Sequence, residues 1–294
     1  MLTTIPAKQF KEFLKKKGVL EDGPPINSKK TETFKWDEMI KHADTYRGIF
    51  DYLKYLKDVK YVGEGSSRIS FFLEPGATEM AKDSPACFKI AKNEKGIAQT
   101  KAEMKLFAEY KDEISFPKVY NCDSKNYFFQ LIEFGTVLED AVAEDILDPY
   151  SYFNEWSEFI RKTIEEDRNS LDFHVGYYEA NDVEQVIYGT GFDAILNLIF
   201  KYLQESNHFC WRLDGEKKKL ADDVIMKTKK KFANGKYKEI VSFLNFAEEH
   251  KDTLVLDDFG NQWNWGVVER EGRLTLIPID WGLTQEVWDH YYDK

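Results

Sequence analysis

Apolar positions along this chain change their period twice. Phe10, Phe13 and Leu14 recur at helical spacing among Lys8, Lys11, Lys15, Lys16 and Lys17, whose basic face reads as solvated helix surface. Gly18 and Gly23-Pro24-Pro25 break that helix. The spacing of Met39, Ile40, Ile49, Phe50, Leu53 and Leu56 predicts a second helix over Trp36 to Lys57. At Lys60 the period shortens to that of strands. Tyr61 to Phe72 reads strand, glycine turn, strand, and Ala86-Cys87-Phe88-Lys89-Ile90 is a further strand. A helix is expected from Ile97 to Lys111, then strands over Lys118 to Cys122 and Tyr127 to Glu133, joined by the turn Asp123-Ser124-Lys125-Asn126. From Val137 to about Lys251 the helical period returns, clearest in Tyr152 to Ile164, Phe192 to Leu203 and Lys236 to His250. Two apolar runs close the pattern, Leu254 to Val268 and Leu274 to Gly282.

These elements give an α+β chain with a helical extension over 1–58, a small antiparallel sheet with one helix over 59–134, and a mainly helical part over 135–294. Its 294 residues are enough for a substantial core. The net charge of −11 argues against a general nucleic-acid binder, which needs a basic field to neutralise phosphates. No apolar run is long enough to span a membrane, and Met1-Leu-Thr-Thr-Ile-Pro6 lacks the pattern of a secretory signal. Cys87, Cys122 and Cys210 are odd in number and far apart, as expected of free thiols in a cytoplasmic protein. His208 and Cys210 are too few ligands for zinc, and His174 reads as a core or surface residue. Internal repeats, Ser-His-Asp spacing, His-Glu-x-x-His and a Walker-type Gly-Lys-Ser are not apparent.

The chemistry-bearing residues fall in a definite order. Gly63, Gly65, Ser66 and Ser67 form a small-residue turn that lets backbone approach a phosphate closely. Lys89 is one cation in an apolar strand. Glu103 lies fourteen positions on, with Glu109 in reserve. Leu131-Ile132-Glu133-Phe134-Gly135 ends the last strand of the sheet region, and Glu139 and Asp140 follow it. Late in the chain come Asp257-Asp258, Asn261, Asn264 and Ile279-Asp280-Trp281-Gly282.

That order resembles the protein-kinase-like superfamily, including aminoglycoside phosphotransferases and short kinase-like proteins of bacteriophages. The resemblance covers Tyr61 to Gly135 and Leu254 to Gly282. It implies a two-lobe fold, a small antiparallel sheet lobe beside a mainly helical lobe, using ATP and magnesium. Lys89, held by Glu103, would position the phosphates. Gly63 to Ser67 would cover them, and the backbone from Glu133 to Gly135 would pair with adenine. Glu139 or Asp140 would be in place for a ribose, or would simply be acids at a helix start. Asp258 would orient a substrate hydroxyl, while Asn264 and Asp280 would hold the metal. Asp257 competes with Asp258, and Asn261 with Asn264. The sequence departs from the family in three ways: Arg68 stands where a third glycine is usual, no His precedes the catalytic Asp, and only twelve residues follow Gly282.

The expected activity is therefore phosphoryl transfer to a protein or small-molecule hydroxyl, in a host cytoplasm if phage-encoded. The alternatives are a catalytically inactive pseudokinase that captures a host protein, a virion-associated structural protein, and nucleotidyl transfer.

Overall fold

A computed structural model describes residues 32–43, 45–143, 145–170, 215–260 and 262–293. The expected helix over Phe192 to Leu203, the lysine-rich helix before Gly18, His174, His208, Cys210 and Asn261 lie outside the described residues. The chain divides into two compact units. One comprises Met1–Asp112, Phe116–Thr136 and Gly266–Lys294; the other comprises Glu113–Ser115 and Val137–Trp265.

In the first unit, α1 (Trp36–Ile40) and α2 (Tyr46–Leu53) replace the single helix expected over Trp36 to Lys57. Thr45 ends the continuity. Its backbone is extended, and its hydroxyl caps α2 by accepting from Gly48 N at 3.0 Å. A Cβ on Gly48 would sit 2.6 Å from His42 O, so the tight junction needs a glycine. Strands β1 (Val59–Glu64), β2 (Arg68–Leu73), β3 (Ala86–Ala91), β4 (Val119–Cys122) and β5 (Phe129–Glu133) form an antiparallel sheet in the order β1-β2-β3-β5-β4. Between β3 and β4 runs α3 (Glu94–Tyr110), capped by Asn93, whose side chain accepts from Gly96 N. A one-residue irregularity between Tyr61 and Gly63 bends the edge strand β1.

Strand alternation gives this sheet two different faces. Ile69, Phe71, Leu73, Ala86, Phe88, Ile90, Phe129 and Leu131 lie on one of them and share a buried cluster with Phe34, Met39, Ile49, Leu53 and Leu56. Phe34, Met39, Ile49, Leu53 and Leu56 therefore belong to the sheet's own core. Asp58 secures them by accepting from Phe34 N with both carboxylate oxygens, at 2.9 and 3.0 Å. The opposite face carries Arg68 and Ser70 on β2, Lys89 on β3 and Gln130 on β5. The register pairs Lys89 with Ser70 on one side and with Gln130 on the other.

Short β6 (Thr136–Val137) joins β7 (Trp265–Arg270) and β8 (Arg273–Pro278) in a three-stranded sheet with β7 central. Glu271 and Gly272 both adopt positive φ (53° and 73°), the geometry a tight two-residue hairpin requires.

The second unit is helical: α4 (Leu138–Ala143), α5 (Pro149–Ser170), α6 (Gly215–Phe232) and α7 (Lys238–Glu249). Trp156 stacks on Phe232 and meets Tyr237 edge-on, each pair 5.1 Å between ring centroids. Phe243 packs edge-on against Phe259 and Trp265. A last helix, α8 (Gln285–Tyr291), belongs to the first unit and was not foreseen in the sequence. Among the described helices none is long and apolar enough to cross a membrane.

The two described cysteines are chemically quiet. Burial raises the Cys87 thiol, and burial together with Asp123 pushes Cys122 up to about 12. Because the thiolate is the reactive form, a Cys210→Ser variant should react slowly with a thiol-disulfide reagent at pH 8 while native. It should release two equivalents promptly once unfolded in guanidinium. Rapid native labelling at either position would contradict this burial.

Candidate nucleotide and phosphate site

The first unit collects most of the foreseen residues. Gly63 to Ser67 turn between β1 and β2, closed by Gly65 N donating to Arg68 O at 2.9 Å. The turn is tied to the β3–α3 junction. Lys92 N donates to Ser67 O at 2.8 Å, Lys92 Nζ to Gly65 O at 3.1 Å, and Asn93 Nδ2 to Ser66 O at 3.0 Å. Gly96 allows this approach, because a Cβ there would lie 2.3 Å from Ser67 O. Ser67 turns inward and donates its hydroxyl proton to Gln99. At Gly63 and Gly65 an added Cβ would meet nothing within 4 Å, so this side of the turn is open to a ligand.

Beneath the turn lies a buried charge cluster. Glu103, on α3, is fully buried. Lys89 Nζ stands 3.5 Å from Glu103 Oε1 and donates to Ile279 O at 2.6 Å. Glu103 also accepts from Gln130 Nε2 and, at 3.3 Å, from Trp281 N. The expected Lys89–Glu103 pair is thus present. Glu109 is not in it; it instead accepts from the neighbouring Tyr110 hydroxyl.

Arg68, which stands where a third glycine is usual, joins this cluster. It is 5% exposed. Its Nη1 lies 2.8 Å from Glu103 Oε1, an ion pair without hydrogen-bond alignment, and its Nη2 donates to Asp280 Oδ1. Burial alone would weaken the charge of both groups. Asp280 and Glu103 nevertheless hold Arg68 firmly protonated, and Arg68 and Lys89 keep the Asp280 carboxyl well below the ordinary carboxylate range. The Asp280 side chain remains 36% exposed. Its position follows from Trp281, which stacks on Phe116 at 5.1 Å and donates its indole N–H to Glu103 O at 3.1 Å. Gly282 lets the segment lie directly on α3, since a Cβ there would be 2.4 Å from Gln99 O.

The 133–135 segment is well anchored. Glu133 N donates to Lys118 O at 2.8 Å and Phe134 N to Pro85 O at 3.3 Å. The Glu133 carboxylate binds Arg270 Nη2 at 2.6 Å and Lys118 N at 3.1 Å, so this side chain is structural. Gly135 faces Gly266 and Ile279, where a Cβ would lie 3.0 Å from Ile279 Cγ2. Close backbone packing accounts for that glycine.

Asp258 and Asn264 lie in the second unit, within the 3-10 turns Leu256–Gly260 and Gln262–Asn264. Asn264 Nδ2 donates to Asp258 O at 2.7 Å, which fixes the loop. Trp265 Nε1 donates to Phe259 O at 2.8 Å and holds its base. Glu139 accepts from the Trp263 indole, so one candidate for ribose already has a partner.

The donor set does not fit a divalent metal at Asp280. One oxygen of that carboxylate is paired with a buried guanidinium. Among the described residues no three His, Cys, Asp or Glu side chains come together as a ligand group. Magnesium takes as few as one or two protein carboxylates and fills its shell with water and phosphate oxygens, so what counts against it here is the guanidinium on Asp280.

No protein-family model matches the chain, and no curated protein matches it. Solved structures do. One is a Plasmodium vivax ethanolamine kinase, 17% identical with TM-score 0.32; 82% of this chain and 64% of that one are covered, so the chain spans somewhat less than two thirds of its length. Another is the ADP-bound aminoglycoside phosphotransferase APH(2'')-Ib, at 16% identity and TM-score 0.30, covering 83% of this chain and 70% of that one. A third is the streptomycin–ATP complex of APH(2")-IIa, at 13% and 0.28, covering 86% and 74%. These neighbours are members of the protein-kinase-like superfamily. What the site can do rests on this chain's own residues.

Proposed function

We propose that this chain is a kinase-like nucleotide-binding protein whose first unit takes the phosphates of ATP. The observation that carries this reading is the buried Lys89–Glu103 pair beneath an open glycine turn, in the same unit as Asp280. A lysine held by a carboxylate presents a fixed ammonium, and glycines without neighbours leave room for a polyphosphate. The geometry supports binding over turnover, because the carboxylate that would have to hold the metal is already neutralised by Arg68. In this reading the chain is a pseudokinase-like module whose ligand state shapes what it offers to a protein partner.

Phosphoryl transfer to a hydroxyl is the second reading. Asn264 favours it, since its side chain donates to the Asp258 backbone carbonyl and so ties the candidate metal ligand to the segment that carries the candidate catalytic Asp.

Thermal unfolding with and without ATP tests the proposal. A ligand confined to the native state adds about 2.7 kcal/mol of stability at a hundredfold excess over its dissociation constant. The midpoint should rise with ATP, and Lys89→Met should lose most of that rise. An unchanged midpoint at millimolar ATP would sink the nucleotide reading. Transfer of labelled γ-phosphate that Asp258→Asn abolishes would establish the phosphotransferase instead.

A further inference from the structure

We propose that Arg68 is the built-in cation of this site. Its guanidinium occupies the place on Asp280 that a divalent metal would need, so the site takes a nucleoside polyphosphate without any divalent cation. The choice of ligand rests on the nucleotide reading above; the exclusion of metal from Asp280 does not.

Arg68 begins β2 directly opposite Ala91, and the sheet's alternation sends its side chain to the same face as Lys89. From there it bridges two carboxylates of separate origin, Glu103 on α3 and Asp280 after β8. The cluster holds two cations, Arg68 and Lys89, and two anions, Glu103 and Asp280. Their formal charges cancel. Without Arg68 the same group would carry one net negative charge and a free carboxylate, which is what attracts a metal.

With Arg68 in place, a divalent ion meets a neutral cluster. To bind Asp280 it would have to displace a buried guanidinium that would keep only Glu103, already shared with Lys89, and that has little access to water; breaking one arm of a buried ion network is costly. Arg68 also supplies one part of what magnesium supplies elsewhere, the masking of a nearby carboxylate. By neutralising Asp280 it removes the like-charge repulsion that a polyphosphate would meet there. It achieves this without touching the phosphate, so its burial is no obstacle. Lys89, 7% exposed and with its amine oriented by Ile279 O, is then the cation assigned to the ligand.

The test measures Mn²⁺ binding by electron paramagnetic resonance in the full chain without nucleotide. Wild type and Asp280→Asn should bind Mn²⁺ equally weakly. Arg68→Gln should gain one site at least tenfold tighter than anything in wild type, and adding Asp280→Asn should remove it. Arg68→Met, which keeps the apolar stem, serves if the glutamine variant fails to fold by circular dichroism. If neither variant folds, the wild-type comparison decides alone. A wild-type Mn²⁺ site that Asp280→Asn abolishes overturns the proposal, as does a folded Arg68 variant with no gain.

A second arm compares ATP dissociation constants of wild type in EDTA and in magnesium. Values within threefold support the proposal, and a tenfold loss in EDTA overturns it. Absence of ATP binding in both media refutes the nucleotide reading and the ligand half with it. The Mn²⁺ arm still decides what holds Asp280.

Discussion

Replacing Glu103 by alanine should destabilise the protein by about 3–5 kcal/mol, the usual cost of removing one member of a buried ion network. The carboxylate is fully buried and serves Arg68, Lys89, Gln130 and Trp281 N together. Its loss leaves two cations sharing Asp280, and strips Gln130 Nε2 of its acceptor. Domains are stable by only about 5–15 kcal/mol, so the effect should be plain in urea unfolding. Glu103→Gln keeps the shape and should cost less. Because Arg68 and Glu103 are in contact, the Arg68→Gln/Glu103→Ala double variant should lose less than the sum of the singles. A Glu103→Ala loss below about 1 kcal/mol would mean that the cluster does not hold the fold together.

Trp281→Ala should cost a similar amount, about 3–5 kcal/mol, but for a different reason. It removes a large side chain from full burial together with its stack on Phe116 and its hydrogen bond to Glu103 O. It also releases the segment that carries Asp280. The variant should therefore weaken ATP binding as well as stability, whereas an equally buried tryptophan in the helical unit, Trp156, should affect stability alone. Comparing ATP-induced midpoint shifts in Trp281→Ala and Trp156→Ala separates the two effects. Equal shifts in both variants would detach Trp281 from the site.

The sheet was legible because strand periodicity is a local property. Ile69, Phe71 and Leu73, like Phe88 and Ile90, alternate onto one face whatever surrounds them, and the structure packs that face into the core. The positions of Lys89 and Glu103 were also readable: one cation within an apolar strand, one acid on the following helix. The break between α1 and α2 was not, because the apolar spacing continues across it and only the cap at Thr45 interrupts the backbone. α8 escaped notice for a related reason. It is short, and its place depends on α3, where Gln99 Nε2 donates to the Tyr292 hydroxyl at 3.4 Å.

The order of the chemistry-bearing residues is legible in the chain alone: a glycine turn, Lys89, Glu103 and Asp280 of the first unit, and Asp258 and Asn264 of the second. The sequence also placed Arg68 where a third glycine is usual, without indicating what that arginine does. What that arginine does depends on long-range contacts. Arg68 and Asp280 are 212 positions apart, and no local rule links them. They meet because β2 alternation points Arg68 at α3, and because Trp281 and Gly282 fix Asp280 on that same helix. A carboxylate's partner is set by what surrounds it in space, so whether Asp280 meets a metal or an arginine is a property of the fold.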